Sequence, residues 1–159
     1  MKKNIRFILL GELILFVAVF LFTIWSMDRS ISGLALYIDI PSIIFILIVL
    51  IPGLIIMGEW KNFIKSFSVG IKEFSLLELK DIVIAVSAAQ KLTILGALIA
   101  IITSIVLVLK NLDDLQMLGP CLAVCCLSGL YAAVIEFFLL PLRLNAEHKM
   151  NEEMDFGDE

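Results

Sequence analysis

The sequence predicts an all-α, polytopic membrane protein with four transmembrane helices and both termini in the cytoplasm. Three observations predict it. Of the 159 residues, 61% are hydrophobic and only 18% charged, and the mean hydropathy is +1.06; an ordinary soluble domain is about half apolar and a quarter charged. The apolar excess is gathered into four blocks, each long enough to cross a bilayer, which makes lipid the solvent for much of the chain. The basic residues fall almost entirely on one side of those blocks, which sets the orientation.

The first block runs from residue 7 to 25 and carries one charge, Glu12. As a helix it reaches about 28 Å, close to a hydrocarbon core of about 30 Å. Lys2, Lys3 and Arg6 precede it, as in a signal peptide. It is too long for a cleaved apolar region, and Trp25-Ser26-Met27-Asp28 offers no small-x-small cleavage site, so it reads as a retained anchor. The second block, 40–58, contains Pro52 and Gly53. Both are tolerated in a membrane helix, and Pro52 predicts a kink. The third block is 92–109. The fourth is 118–142, opening on Gly119-Pro120 and closing near Pro141.

Ten Lys and Arg residues lie before block one, between blocks two and three, and after block four, whereas only Arg29 and Lys110 lie on the other side. This predicts an N-in, C-in topology. Residues 59–91 form a cytoplasmic amphipathic segment. Trp60, Phe63, Ile64, Phe67 and Ile71 recur at helical spacing, and Phe74, Leu77, Ile82 and Val86 carry an apolar stripe onward. The segment reads either as a pair of short helices on the membrane surface or as extensions of helices two and three. Residues 143–159 form a cytoplasmic tail with an acidic end, and the formal net charge is −4. No repeat or second domain interrupts residues 1–159.

Little soluble chemistry is written here. The P-loop, GxGxxG, HExxH and GxSxG patterns are absent, so the chain is not read as an enzyme and no cofactor is expected. One histidine, His148, makes a His-based metal site improbable, and no basic cluster points to nucleic acid. Cys121 and Cys125 share a helix face, but without partner ligands they read as small packing residues, together with Ala123, Ser128, Gly129, Ala132 and Ala133. Block four is therefore built for close helix contact. Block one, rich in Leu, Phe and Val, reads as lipid-facing. The small-residue face, with no second such face in the chain to receive it, predicts a homo-oligomer.

Polar groups inside the blocks are the candidate ion-path residues: Glu136, Thr103, Ser104 and Ser128. An ionised side chain in hydrocarbon costs about 2.5–3.5 kcal/mol on the lenient insertion scale, so Glu136 and Glu12 must be neutralised, partnered or hydrated. The functional reading of Glu136 is proton or cation handling. The bland reading is anchoring of helix four by pairing with Lys91 or Arg143.

The run Asn111-Leu112-Asp113-Asp114-x-x-x-Leu118-Gly119-Pro120-x-Leu122-Ala123-Val124 resembles the MotA/TolQ/ExbB family, closest to its MotA branch. Ile31-Ser32-Gly33 through Tyr37-Ile38-Asp39-Ile40-Pro41-Ser42 is similar to that family's entry into its second helix, and Leu140-Pro141-Leu142 to the end of its last. The resemblance covers about residues 31–72 and 96–143. It implies a subunit of the bacterial inner membrane that forms a pentameric ring around a dimer of single-span partners of the MotB/TolR/ExbD kind. Ion flow, with protons as the expected ion, would turn the ring. Helices three and four would line the path, with Ser128 at the family's hydroxyl position and facing the ring centre. The departures are plain as well. Ala100 and Ile101 stand where the family has a Gly-Thr pair, and 59–91 is too short for the insertion that engages a flagellar rotor. The expected function is an ion-driven motor or force-transmitting complex, with a non-conducting membrane scaffold of the same architecture as the alternative.

Overall fold

The structure is a computed structural model that describes the backbone of residues 5–28, 38–69 and 71–157, and the side chains of 10–22, 38–69, 71–114 and 116–154. Arg29, Ile31 to Gly33 and Tyr37, as well as the ends of the chain with Lys2 and Lys3, lie outside the described residues. Among those described, all regular structure is helical: α1 (Ile5–Asp28), α2 (Ile40–Ile56), α3 (Trp60–Ser66), α4 (Leu76–Lys110) and α5 (Leu115–Gly157).

Each start has a local cause. Asp39 caps α2, its carboxylate accepting from the Ser42 N–H at 3.0 Å, with Pro41 in the first turn, where its missing donor costs nothing. Ser75 and Glu78 form a capping box at the head of α4. Asn111 caps the other end of α4, and Asp114 accepts from the Gln116 N–H at 3.0 Å as α5 begins. The sharp turn after α2 falls at Gly58, whose φ of +76° suits glycine, and α3 leaves at 109° to α2. That turn, rather than Pro52, is the main bend here; Pro52 sits within one continuous helix.

The residue pairings fix the directions. Ser42 meets Val124, and Leu50 and Leu54 share a core with Leu139 and Leu142, so α2 runs parallel to α5. Gly96 lies against Ile46 and Gly53 against Leu92, so α4 runs antiparallel to α2. Gly129 with Ile101, and Arg143 with Gln90, set α4 antiparallel to α5. The main core joins Leu50, Leu54, Val69, Leu79, Ile82, Val86, Leu139 and Leu142, with Trp60 and Phe63 of α3 packed against it. The segment after α2 is thus one short helix, α3, followed by a first part of α4 that continues unbroken into the third block. α1 packs on α5 through Phe16 and Phe138, ring centroids 5.9 Å apart, and leaves most of the apolar side chains described between residues 10 and 22 exposed.

Helix α5 runs on past Pro141, where the fourth apolar block closes, to Gly157, with Pro141, Leu142 and Ala146 buried. One expectation is corrected. The small-residue face is not confined to the fourth block. Helix α4 buries Ala85, Ala89, Thr93, Gly96, Ala97 and Ala100 in a stripe that receives its neighbours. Part of the small set of α5 is taken up inside the chain, at Ser128 and Ala132, while Gly119, Ala123, Cys126 and Ala133 stay exposed.

Among the described residues, two helices are long and apolar enough to cross a bilayer, in α4 and α5, and α2 with α3 makes a third if the bent pair is one span. Leu10–Phe22 is a shorter apolar helix. The outer face of α4 exposes Leu95, Leu98, Ile102, Ile105 and Leu109. An apolar surface of that kind is uncommon on a soluble monomer, and these helices are compatible with a multi-pass membrane protein.

Candidate functional site

Polar side chains inside the apolar helices gather at two levels. The first surrounds the start of α2. The Asp39 N–H donates to the Tyr131 hydroxyl at 2.8 Å, while the Ser42 hydroxyl, fully buried, lies against the Asp39 carboxylate and 3.3 Å from the Val124 carbonyl. Ser128 donates to that same carbonyl at 2.7 Å. Two turns of α5 thereby hold the N-terminus of α2 at the depth of the Val124–Tyr131 stretch.

Ser128 is buried in the contact within one chain, with its hydroxyl spent on Val124. Ser104 is likewise buried and donates to the Ala100 carbonyl at 2.8 Å. These back-bonds satisfy a hydroxyl inside its own helix and let it sit against an apolar neighbour. Thr103 is exposed on the side of α4.

The second level lies nearer the lysine-rich end. Glu136, on α5, is half-buried, and its Oε1 is enclosed without a hydrogen-bond partner. The polar group facing the carboxyl is the side-chain amide of Gln90 on α4. Gln90 in turn lies 3.5 Å from Arg143 Nη1, and Arg143 Nε holds Glu147 at 2.7 Å. The polar chain Glu136, Gln90, Arg143, Glu147 therefore leads from an apolar helix contact to a half-exposed ion pair. Arg143 reaches Glu136 only through Gln90, so the bare anchoring pair that the sequence allowed is not formed. Glu12 on α1 also encloses one carboxylate oxygen, Oε2, without a partner.

The four candidates are not brought together. Thr103 and Ser104 lie thirteen or more residues along α4 from Gln90, about 20 Å at the helical rise. Cys121 and Cys125 are half-buried and free, Cys126 is exposed, and among the described residues no cluster of His, Cys, Asp and Glu could hold a metal.

No family model, curated protein or solved structure matches the chain.

What the site can do therefore rests on its geometry and on the residues of the resembling run. Sequence reasoning missed Gln90, which looks like one more polar residue before block three, and the hydroxyl of Tyr131. The pairing of either is visible only once α4, α2 and α5 are in register. Asp39 as a cap was open to reading, because an Asp followed by Pro and Ser at a block boundary is a helix-start pattern.

Proposed function

We propose that this chain is a ring-forming subunit of an ion-driven motor or force-transmitting complex in the bacterial inner membrane, working with a single-span partner. The observation that carries the reading is where the Asn111–Val124 run falls. It forms the turn and first turns of α5 that join two long apolar antiparallel helices, the place it would hold in the MotA-like arrangement. Four spans with both termini inside suit this reading. The described cations at 61, 65, 72, 80, 91, 143 and 149 gather at one end, where Lys65 pairs with Glu78 at 3.1 Å and Lys149 reaches the Lys72 carbonyl at 3.4 Å. That end is cytoplasmic under the positive-inside rule.

Further copies would meet on the outward face of α5, where Gly119, Ala123, Cys126, Ala133 and Leu140 are exposed at the three-and-four spacing of a helix seam. The pentamer is the ring size that the resemblance supplies. Within it Glu136 is the protonatable group of this chain, facing Gln90 at the cytoplasmic end of the α4–α5 contact. Ser104 and Ser128 act as helix-contact residues, and Thr103 is the hydroxyl left free to meet a partner helix.

A specific observation favours a second reading, the non-conducting scaffold. Ala100 and Ile101 put no hydroxyl where the family's pore has one, and the hydroxyls of Ser104 and Ser128 are already satisfied inside their helices. Proton flux separates the two. The complex as purified is placed in liposomes under an imposed pH gradient. Flux that Glu136→Gln abolishes, with the complex still assembled, supports conduction through this chain. Wild-type vesicles no leakier than empty ones favour the scaffold.

A further inference from the structure

We infer that the groove between the end of α2 and the outer face of α4 is a binding site for an anionic phospholipid of the cytoplasmic leaflet, with Lys91 as its phosphate-binding group. The inference rests on α4 meeting lipid and on the orientation proposed above, and is independent of the ring and of conduction. The groove has a volume of about 420 Å³ and is lined by Met57, Ser87, Ala88, Lys91, Leu92 and Leu95, among others. Its cause is local. Gly58 turns the chain away at the end of α2, and α3 folds back onto the core, so nothing from α3 covers this side of α4. The short side chains of Ser87 and Ala88 then leave room beside Met57.

The lining is graded in polarity. Leu92 and Leu95 face the groove on the side of the apolar span, while Ser87 and Lys91 supply a hydroxyl and an ammonium at its other end. From Leu92 to Leu109 α4 carries no charge, a run of about 27 Å that matches the hydrocarbon core. Lys91 is thus the last cation before the hydrocarbon, at the depth of lipid phosphates. It is exposed, and among the described residues it has no ion-pair partner, whereas Lys65 and Arg143 are both paired. Lys80 lies on the same helix face three turns away, adding positive potential on the headgroup side. Glu59, two residues beyond Met57, already accepts from Asn62 at 3.0 Å. A free ammonium above an apolar slot is complementary to one acyl chain and one phosphate.

The test is lipid retention. The full chain, purified in detergent, is exchanged into micelles doped with phosphatidylglycerol or phosphatidylcholine, and the lipids that survive washing are counted by native mass spectrometry. A single lysine near a charged surface contributes about 1 kcal/mol, so phosphatidylglycerol should be kept about fivefold better than phosphatidylcholine. Lys91→Gln should bring the two lipids level, Lys91→Arg should keep the preference, and Ala88→Leu should fill the slot and lower retention of both. Helix content by circular dichroism shows whether each variant folds, and the Lys91 pair decides the matter if Ala88→Leu does not. Equal retention of both lipids by the wild type, or an unchanged preference in Lys91→Gln, overturns the inference.

Discussion

Replacing Gly96 by alanine should loosen the whole α2–α4 contact. A Cβ at residue 96 would stand 3.0 Å from the Ile46 Cα, 3.2 Å from its carbonyl oxygen and 3.4 Å from the Val49 Cβ. Comfortable carbon contacts lie at about 3.5–4.0 Å, so α2 must retreat by about half an ångström or more. The two nearest atoms are backbone, and no change of rotamer relieves them. Retreat opens the packing of Ile46 and, below it, of Leu50 and Leu54, which are buried in the same contact. Overpacking of this kind costs about 1–3 kcal/mol, against which alanine regains up to about 1 kcal/mol of helix propensity. The net loss is about 1–2 kcal/mol, roughly five- to thirtyfold in the ratio of folded to unfolded protein. Gly129→Ala supplies the contrast, because the nearest atom to its added Cβ is the Ile101 Cδ1 at 4.0 Å. That variant should be neutral or slightly stabilised. Unfolding in mixed micelles with rising dodecyl sulfate, followed by helical circular dichroism, gives both midpoints. A Gly96→Ala protein as stable as Gly129→Ala would refute the close approach of α2 to α4.

Tyr131→Phe should cost about 1 kcal/mol by leaving the Asp39 N–H without its acceptor, whereas Ser128→Ala, whose hydroxyl bonds only within its own helix, should cost less; the same titration ranks them. At the head of α4 the Glu78 carboxyl is held below its ordinary 4.5, first by the hydrogen bond from Lys65 and then by the Ser75 N–H. Because the folded value is the lower one, this stabilisation is present above pH 4.5 and fades as pH falls through the folded value. Stability of the wild type should therefore drop more steeply below pH 4.5 than that of Glu78→Gln, and parallel acid limbs in the two proteins would remove the effect. Glu136→Gln should leave helix content and assembly intact while proton flux is lost; weakened assembly instead would make the carboxyl an anchor, through Gln90, of the α4–α5 contact.

The sequence made the helical class and the apolar blocks legible because an uncharged run of membrane length has few other uses. The starts of α2 and α4 were also within reach, through Asp39-x-Pro41-Ser42 and Ser75-x-x-Glu78, although the second pattern was hidden inside a segment judged by its apolar stripe. At the other end Pro141 marks the close of the apolar block but not of the helix. Proline removes one backbone donor, but the helix survives where burial of Leu142 and Ala146 and the Arg143–Glu147 pair support the turns beyond it. The small stripe of α4 was masked because its alanines are spaced among Ile and Leu, so composition showed only hydrophobicity. Of the site, the carboxyl of Glu136 stood out by cost alone. Gln90 did not, since a glutamine has no such cost and gains its meaning from the register of two helices far apart in sequence.

The mass of the intact complex tests the central claim most directly. Native mass spectrometry of the detergent-extracted protein should give five copies of this chain, with a dimer of a smaller single-span protein bound to them. A stable monomer under the same mild extraction would contradict the ring.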